Sequence, residues 1–397
     1  MSEWKKVRFL DVVHLNPRIS LEKGVEYPFV EMSNVVPCAR KPEKDVFKKY
    51  LGEGTKFEQG DTIVARIEPC LQNGKGFQCS YKQGFGSTEF LVFRPVNIND
   101  LDCDFLYYYM GQQSIREAMA KTMVGASGRQ RVNNKVFNDL QINLPPLQTQ
   151  HRIATILSRY DSLIENYQKQ IKLLEEAAQR LYKEWFIDLH FPGHENTNIL
   201  DGVPEGWEKK KLCEFTGITD GTHDSPKQVE IGLPLVTGRC IVDGSIDFSQ
   251  AYNISEEDVI KINKRSAVED GDILLSNIGT IGKVCRISKS GNYAVKNMII
   301  FKPHDAIHSC FLHRFLTDNN TQMDFLQQAA GTSQKFVSLS FIRNTLILRP
   351  SDTILNLFYN HSEKYFNYVQ TLQSQLRLLT EARDRLLPKL MSGEIEI

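Results

Sequence analysis

Residues 170–182 read QIKLLEEAAQRLY, and residues 375–387 read QLRLLTEARDRLL. Seven of these thirteen positions are identical, at a constant offset of 205. Both stretches repeat their apolar residues three and four apart, the period of a helix with one buried face. An amphipathic helix that returns half a chain later points to internal duplication, which fixes the architecture before any local reading does.

The echo extends outward from the helices. Trp4-Lys5-Lys6 answers Trp207-Glu208-Lys209. EQGDTIVARI (58–67) answers EDGDILLSNI (269–278), and Arg94-Pro95 answers Lys302-Pro303. DFLYYYMGQQSIREAMAKTM (104–123) answers CFLHRFLTDNNTQMDFLQQA (310–329). Val132, Phe137 and Ile142 fall opposite Val337, Ile342 and Ile347. Each half therefore holds a globular part followed by one long helix. Strand-like runs such as DTIVARI and FLVFRP, broken by Gly and Asn turns, give the globular parts a mixed character. The expected segments are a first domain over 1–147, a first spacer helix over 148–190, a linker over 191–206, a second domain over 207–350 and a second spacer helix over 351–397.

The first helix carries a heptad seam: Ile153, Leu157, Tyr160, Ile164, Tyr167, Ile171, Leu174, Ala178, Leu181 and Trp185. Shifted by 205, the second presents Phe358, Ser362, Tyr365, Val369, Leu372, Leu376, Leu379, Arg383, Leu386 and Leu390, with Ser362 and Arg383 as weak points. A helix over 148–186 is roughly 58 Å long. The 20 residues between Phe186 and Trp207 reach at most roughly 66 Å. A parallel pair would stretch that linker almost fully, whereas an antiparallel pair needs a local turn. The expected fold is α+β: two pseudo-two-fold-related, α/β-mixed domains separated by an antiparallel two-helix coiled coil.

Composition sets bounds. The 397 residues are 41% hydrophobic and 24% charged, ordinary for a soluble globular protein, and too many for one core. Net charge is zero, so any nucleic-acid face must be local. No run approaches a membrane span, and MSEWKKVRFL lacks the apolar core of a signal peptide. Eight unpaired-looking Cys suit reduced thiols in the cytoplasm. A fused pair of diverged heads on a fixed rod suits a two-part, asymmetric DNA target, by extension of the way symmetric dimers read palindromes. The same shape also serves a clamp for two protein ligands.

The chain resembles the specificity (S) subunit of Type I restriction–modification enzymes. The residues that carry the resemblance are LPPLQTQHRIATIL (144–157), LYKEWFIDLHFPG (181–193), VPEGWE (203–208), TDGTHDSP (219–226), the two Gly-Asp strands and LLPKLMSGEIEI (386–397). It covers essentially the full length. Thr149 stands where that family usually has Glu, and LRPSDT (348–353) replaces a second LPPL. The resemblance implies two target recognition domains, each reading half of a bipartite DNA sequence, and a coiled coil that sets the gap. It implies no catalysis by this chain. Two adenine methyltransferase subunits would supply S-adenosylmethionine chemistry, and restriction/translocase subunits would supply ATP- and Mg-dependent steps. A related system with a fused methyltransferase–nuclease partner is the alternative, beside the protein-interaction scaffold.

Candidate DNA contacts follow residue type: Arg for guanine, Asn or Gln for adenine, Lys for phosphate. GASGRQRVNNK (125–135) offers Arg129, Gln130, Arg131, Asn133, Asn134 and Lys135. Its counterpart GTSQKFVSLSFIRN (331–344) offers Ser333, Gln334, Lys335 and Arg343. A plain solvated loop is the equal alternative. In TDGTHDSPK, the resemblance points to His223 and Lys227 as contacts, while Asp220 and Asp224 suit backbone capping. Lys75 and Lys283 follow glycine-rich turns and suit either a phosphate contact or a simple hairpin; the phosphate-loop motif is absent. The rod's Lys169, Lys172, Glu175, Glu176, Gln179, Arg180 and Glu184 read as a solvated face, to which the resemblance adds partner docking. His304, His308, Cys310 and His313 have no convincing fourth-ligand logic and read as helix surface and core. No nucleotide-binding glycine loop follows a strand, and INLPPL lacks the Asn-Pro-Pro-aromatic order of amino-methyltransferases.

Overall fold

The computed structural model describes residues 4–126, 128–331 and 335–397. These fall into two compact units, one built from 1–168 with 375–397 and the other from 169–374. In the first unit, Val13–Leu15, Phe90–Pro95, Thr62–Ala65 and Gly76–Gln78 form an antiparallel four-stranded sheet in that spatial order. Thr62–Ala65 lies inside this sheet and is buried at all four positions, as a central strand covered on both faces must be. A second sheet orders Phe47–Lys49, Glu26–Val30, Gln83–Gly86 and Thr55–Glu58, with a parallel pairing in its middle. Helices Cys103–Gly111 and Gln113–Ala120 cover the core, the former capped by Asp102 accepting from Phe105 N at 2.8 Å. Lys5–Arg8 pairs with Gln141–Leu144, just before the long helix begins.

The second unit repeats the scheme. Its four-stranded sheet orders Gly217–Asp220, Met298–Lys302, Ile273–Ser276 and Val284–Arg286. Leu233–Val236 runs parallel to Ala294–Val295, Glu208–Lys211 pairs with Leu346–Arg349, and helices Ala306–Thr317 and Asn319–Gln327 take the covering role. An added helix, Glu256–Ser266, is capped by Ser255.

The repeated Gly-Asp and Arg/Lys-Pro signals turn out to be partners. Asp61 is fully buried, accepts Glu58 N at 2.8 Å, and meets Arg94 Nε and Nη2 at 2.6 and 2.8 Å. Asp272, also buried, accepts Glu269 N at 2.8 Å and pairs with Lys302 Nζ at 2.7 Å. Each Asp closes the turn entering the central strand while its cation arrives from the neighbouring strand. A buried carboxylate needs such pairing to be tolerated.

The long helices run Leu147–Tyr182, followed by a wider π turn over Lys183–Ile187, and Asp352–Ser392. In the first unit Ile153, Ala154 and Leu157 share a core with Leu390 and Met391, and Asp161 meets Arg383, so the two helices are antiparallel. In the second unit Tyr182, Trp185 and Phe186 surround Phe358, with ring centroids 6.3, 5.9 and 4.8 Å away. Every seam residue is buried or half-buried. The two weak points are buried as well. Ser362 is fully enclosed, and Arg383 donates to Asp161 Oδ1 at 3.0 Å, whose other oxygen accepts Tyr108 Oη at 2.6 Å. Arg383 is thus an ion-pair position in the seam, and attraction to Asp161 and Asp384 keeps its guanidinium firmly protonated against the opposing effect of burial.

The reading of Glu175 and Gln179 as solvated rod face is corrected. Gln179 bonds Asp318 and Thr317 at 3.2 and 3.3 Å, and burial raises the Glu175 carboxyl above its usual range. Both lie against the globular part of their unit because the helix packs there over its length.

His313 is buried beside Phe366, and burial, then Arg314 and Arg286, depress its imidazole well below the usual range. Below about pH 6.5 the unfolded chain binds a proton that the folded unit refuses, so stability falls with acid from there downward. The expected slope is up to about 1.4 kcal/mol per pH unit. His313→Gln should flatten that part of the profile, measured by urea unfolding at pH 7 and pH 5. Parallel profiles for the two proteins would rule His313 out as the source.

Candidate nucleic-acid interface

In each unit the central strand leaves the sheet into a cluster of loops. In the first unit Arg66 follows Thr62–Ala65, and Arg66 N donates to Glu89 O at 2.9 Å. An antiparallel bridge joins Val124 to Arg131, and Arg131 also bridges Ile67. Val132 N donates to Arg66 O at 2.9 Å, and Glu68 N to Gln130 O at 3.0 Å. The described part of the polar loop is therefore pinned to the strand exit. On it, Arg129 is exposed, and Gln130 is half-buried with its amide toward Gly125 O. Asn133 caps Lys135 N at 3.1 Å, while Asn134 and Lys135 are exposed. Arg131 is clamped: its Nε and Nη2 meet both Glu89 oxygens at 2.6–3.0 Å. Hydrogen bonding from Arg131 holds the Glu89 carboxyl below its usual range, with the charge of Arg66 adding to it.

The second unit repeats this frame with other side chains. Phe336 bridges Ala330 and Ile278, and Val337 N donates to Asn277 O at 2.9 Å. Lys335 is exposed and its carbonyl accepts Gly279 N. Arg343 donates to Ile218 O at 3.0 Å. Ser333 and Gln334 lie outside the described residues. Beside this frame the DGTHD loop folds back on the sheet. A Cβ on Gly221 would stand 2.4 Å from Val295 O, so only glycine fits there. Thr222 Oγ1 then caps Asp224 N at 3.1 Å. His223 is exposed but held on both nitrogens, 2.8 Å from Asp220 Oδ2 and 3.0 Å from Asn297 Oδ1. Lys227 is exposed.

Two lysines are placed otherwise than a phosphate contact requires. Lys75 Nζ donates to Met32 O at 2.8 Å, and Lys283 Nζ to Ile241 O at 2.7 Å. Both lysines are half-buried, and each ties its turn to a backbone carbonyl of another segment of its own unit. The hairpin alternative accounts for them. Conversely, the sequence reading passed over Arg66, Arg265 and Lys296. Arg265 donates to Gly221 O at 3.1 Å, and Lys296 to Ser225 Oγ at 2.5 Å. Nothing in a linear motif links these residues to the loops they support.

Among the described residues no group of three or more His, Cys, Asp or Glu could hold a metal ion, and no helix is long and apolar enough to cross a membrane. What the loop clusters offer is hydrogen-bond donors and cations on a fixed frame.

Residues 1–176 match the family described as Type I restriction modification DNA specificity domain. The Type I restriction enzyme MjaIX specificity subunit of Methanocaldococcus jannaschii is 28% identical over 310 residues, spanning 74% of this chain and 69% of the relative. The HindI specificity subunit of Haemophilus influenzae is 23% identical over 476 residues, spanning both chains completely. Among solved structures, the Type I restriction–modification S subunit from M. genitalium shares the fold, with a TM-score of 0.55, 17% identity and coverage of 98% and 96% of the two chains. The domain match over residues 1–176 and these relatives make the chain similar to Type I restriction–modification specificity subunits.

Proposed function

We propose that the chain is the non-catalytic DNA-reading subunit of a Type I restriction–modification complex. Each globular part reads one half of a bipartite, asymmetric target, and the antiparallel helices set the gap. Two adenine methyltransferase subunits dock on it, and restriction/translocase subunits join that core in the cytoplasm. S-adenosylmethionine, ATP and Mg belong to those partners.

One observation carries this reading: the frame is duplicated while the loop chemistry is not. Asp61/Arg94 and Asp272/Lys302, Lys75 and Lys283, and the bridges at Arg131 and Phe336 repeat position by position. The exposed residues around them differ. Two readers of different half-sites need that division, because phosphates and frame position a protein and base edges specify the sequence.

The test is single-molecule methylome sequencing of a host that expresses this chain with its adenine methyltransferase. The expected result is one split motif. Exchanging residues 1–147 for those of another specificity subunit should change one side of the motif and leave the gap intact. A host without any methylated motif, or a motif indifferent to the exchange, would move the reading to a protein-interaction scaffold.

A further inference from the structure

Three positions in the loop cluster are structurally equivalent between the units yet differ in chemistry. The first unit has Arg66, Glu89 and Arg131. The second has Asn277, Asn297 and Phe336. Equivalence rests on the ladders: Ala65 pairs with Phe90 as Ser276 pairs with Met298, and the next residues outward are Arg66 with Glu89 and Asn277 with Asn297. Arg131 and Phe336 occupy the same double bridge.

Their hydrogen bonds differ too. Asn277 uses its amide on Val337 O at 3.0 Å and is buried, so it has little left to offer. Arg131 is held in a two-pronged pair by Glu89. Arg66 is the member without such a partner. Its Nε is closed off from solvent and makes no hydrogen bond to the described residues. Its charge sits close enough to Glu89 to help keep that carboxylate ionised. An arginine anchored at its root in a sheet, with Glu89 already engaged by Arg131, has a guanidinium left to donate elsewhere. Guanidinium donors in a planar fork match guanine N7 and O6.

We infer that Arg66 is a base-reading residue of the first domain, donating to a guanine, and that the Glu89–Arg131 pair is a positioning device that holds the loop beside it. This rests on the DNA-reading function proposed above. The second domain, with Asn277 turned inward, lacks this reader.

The experiment compares Arg66→Ala and Arg66→Lys with the unaltered chain, each co-expressed with the methyltransferase, by methylome sequencing. The unaltered chain must give a split motif; if it gives none, the DNA-reading proposal fails and the Arg66 inference with it. Given a motif, Arg66→Ala should relax one guanine position on the side set by residues 1–147. Discrimination there should fall roughly 10- to 100-fold while the other side stays strict. The strict second half-site also reports that the variant complex is folded and assembled. Arg66→Lys, a point charge without the fork, should fail to restore the lost base preference. Unchanged specificity in Arg66→Ala would overturn the inference. So would an even loss of methylation across all sites with no relaxed base, because that pattern belongs to a phosphate contact.

Discussion

Phe358→Ala is expected to destabilise the unit of residues 169–374 by about 3–5 kcal/mol, the cost of deleting a large buried aromatic side chain. Phe358 is fully buried where the second long helix begins. Phe186 stands 4.8 Å from it and Trp185 5.9 Å, both in tilted or edge-on geometry. Phe186 in turn packs on Phe311 at 4.9 Å and Trp207 at 5.8 Å. One ring therefore joins the end of the first long helix, the start of the second and the covering helix of the globular part. The cavity left by alanine would be walled by these rings, which are themselves pinned and cannot collapse inward. Amide hydrogen exchange in Ile273–Ser276 reads the effect within the right unit. A loss of protection worth less than about 1 kcal/mol would mean that the aromatic cluster repacks freely.

Arg94→Ala should cost a similar amount, about 3–5 kcal/mol, in the other unit, because it strands a buried carboxylate. Asp61 has no solvent exposure, and Arg94 meets both of its oxygens as well as Glu58. Lys302→Ala should cost less. Asp272 takes a single Lys302 contact at 2.7 Å, and burial already raises its carboxyl despite that cation. Without Lys302 it can take up a proton, so the penalty shrinks as pH falls. Exchange protection in Thr62–Ala65, followed for Arg94→Ala and for an Asp61→Leu/Arg94→Met double variant, checks this. The double variant should recover most of the loss, since an apolar pair leaves no orphan charge. Equal losses in both would place the damage in packing rather than charge.

The duplication was legible because it repeats residues of the backbone scheme: glycine–aspartate turns, strand cores and heptad leucines. The reason for the Asp and for the distant Arg or Lys was not. An ion pair across 33 residues leaves no periodic trace, and the repeat showed only that both ends recur. Arg383 looked like a flaw in the seam for the same reason. Its partner, Asp161, sits 222 residues away and one step off the seam. The loops were legible by composition, but composition does not tell an outward lysine from one donating to Met32 O, nor a free arginine from one clamped by Glu89. Arg66 was passed over because it closes a strand, where the residue type carries no loop signature.

The first unit borrows residues 375–397 to complete its core, with Leu390 and Met391 buried among residues from its first 157 positions. Translation therefore separates the two pieces of one core by the 206 residues from 169 to 374, or roughly 10–40 s at ordinary ribosome speeds. During that interval the nascent unit exposes the apolar groove that those residues will fill. A premature stop anywhere in the second half would thus injure the first half as much as the second. Completion of the first core therefore waits on residues 375–397.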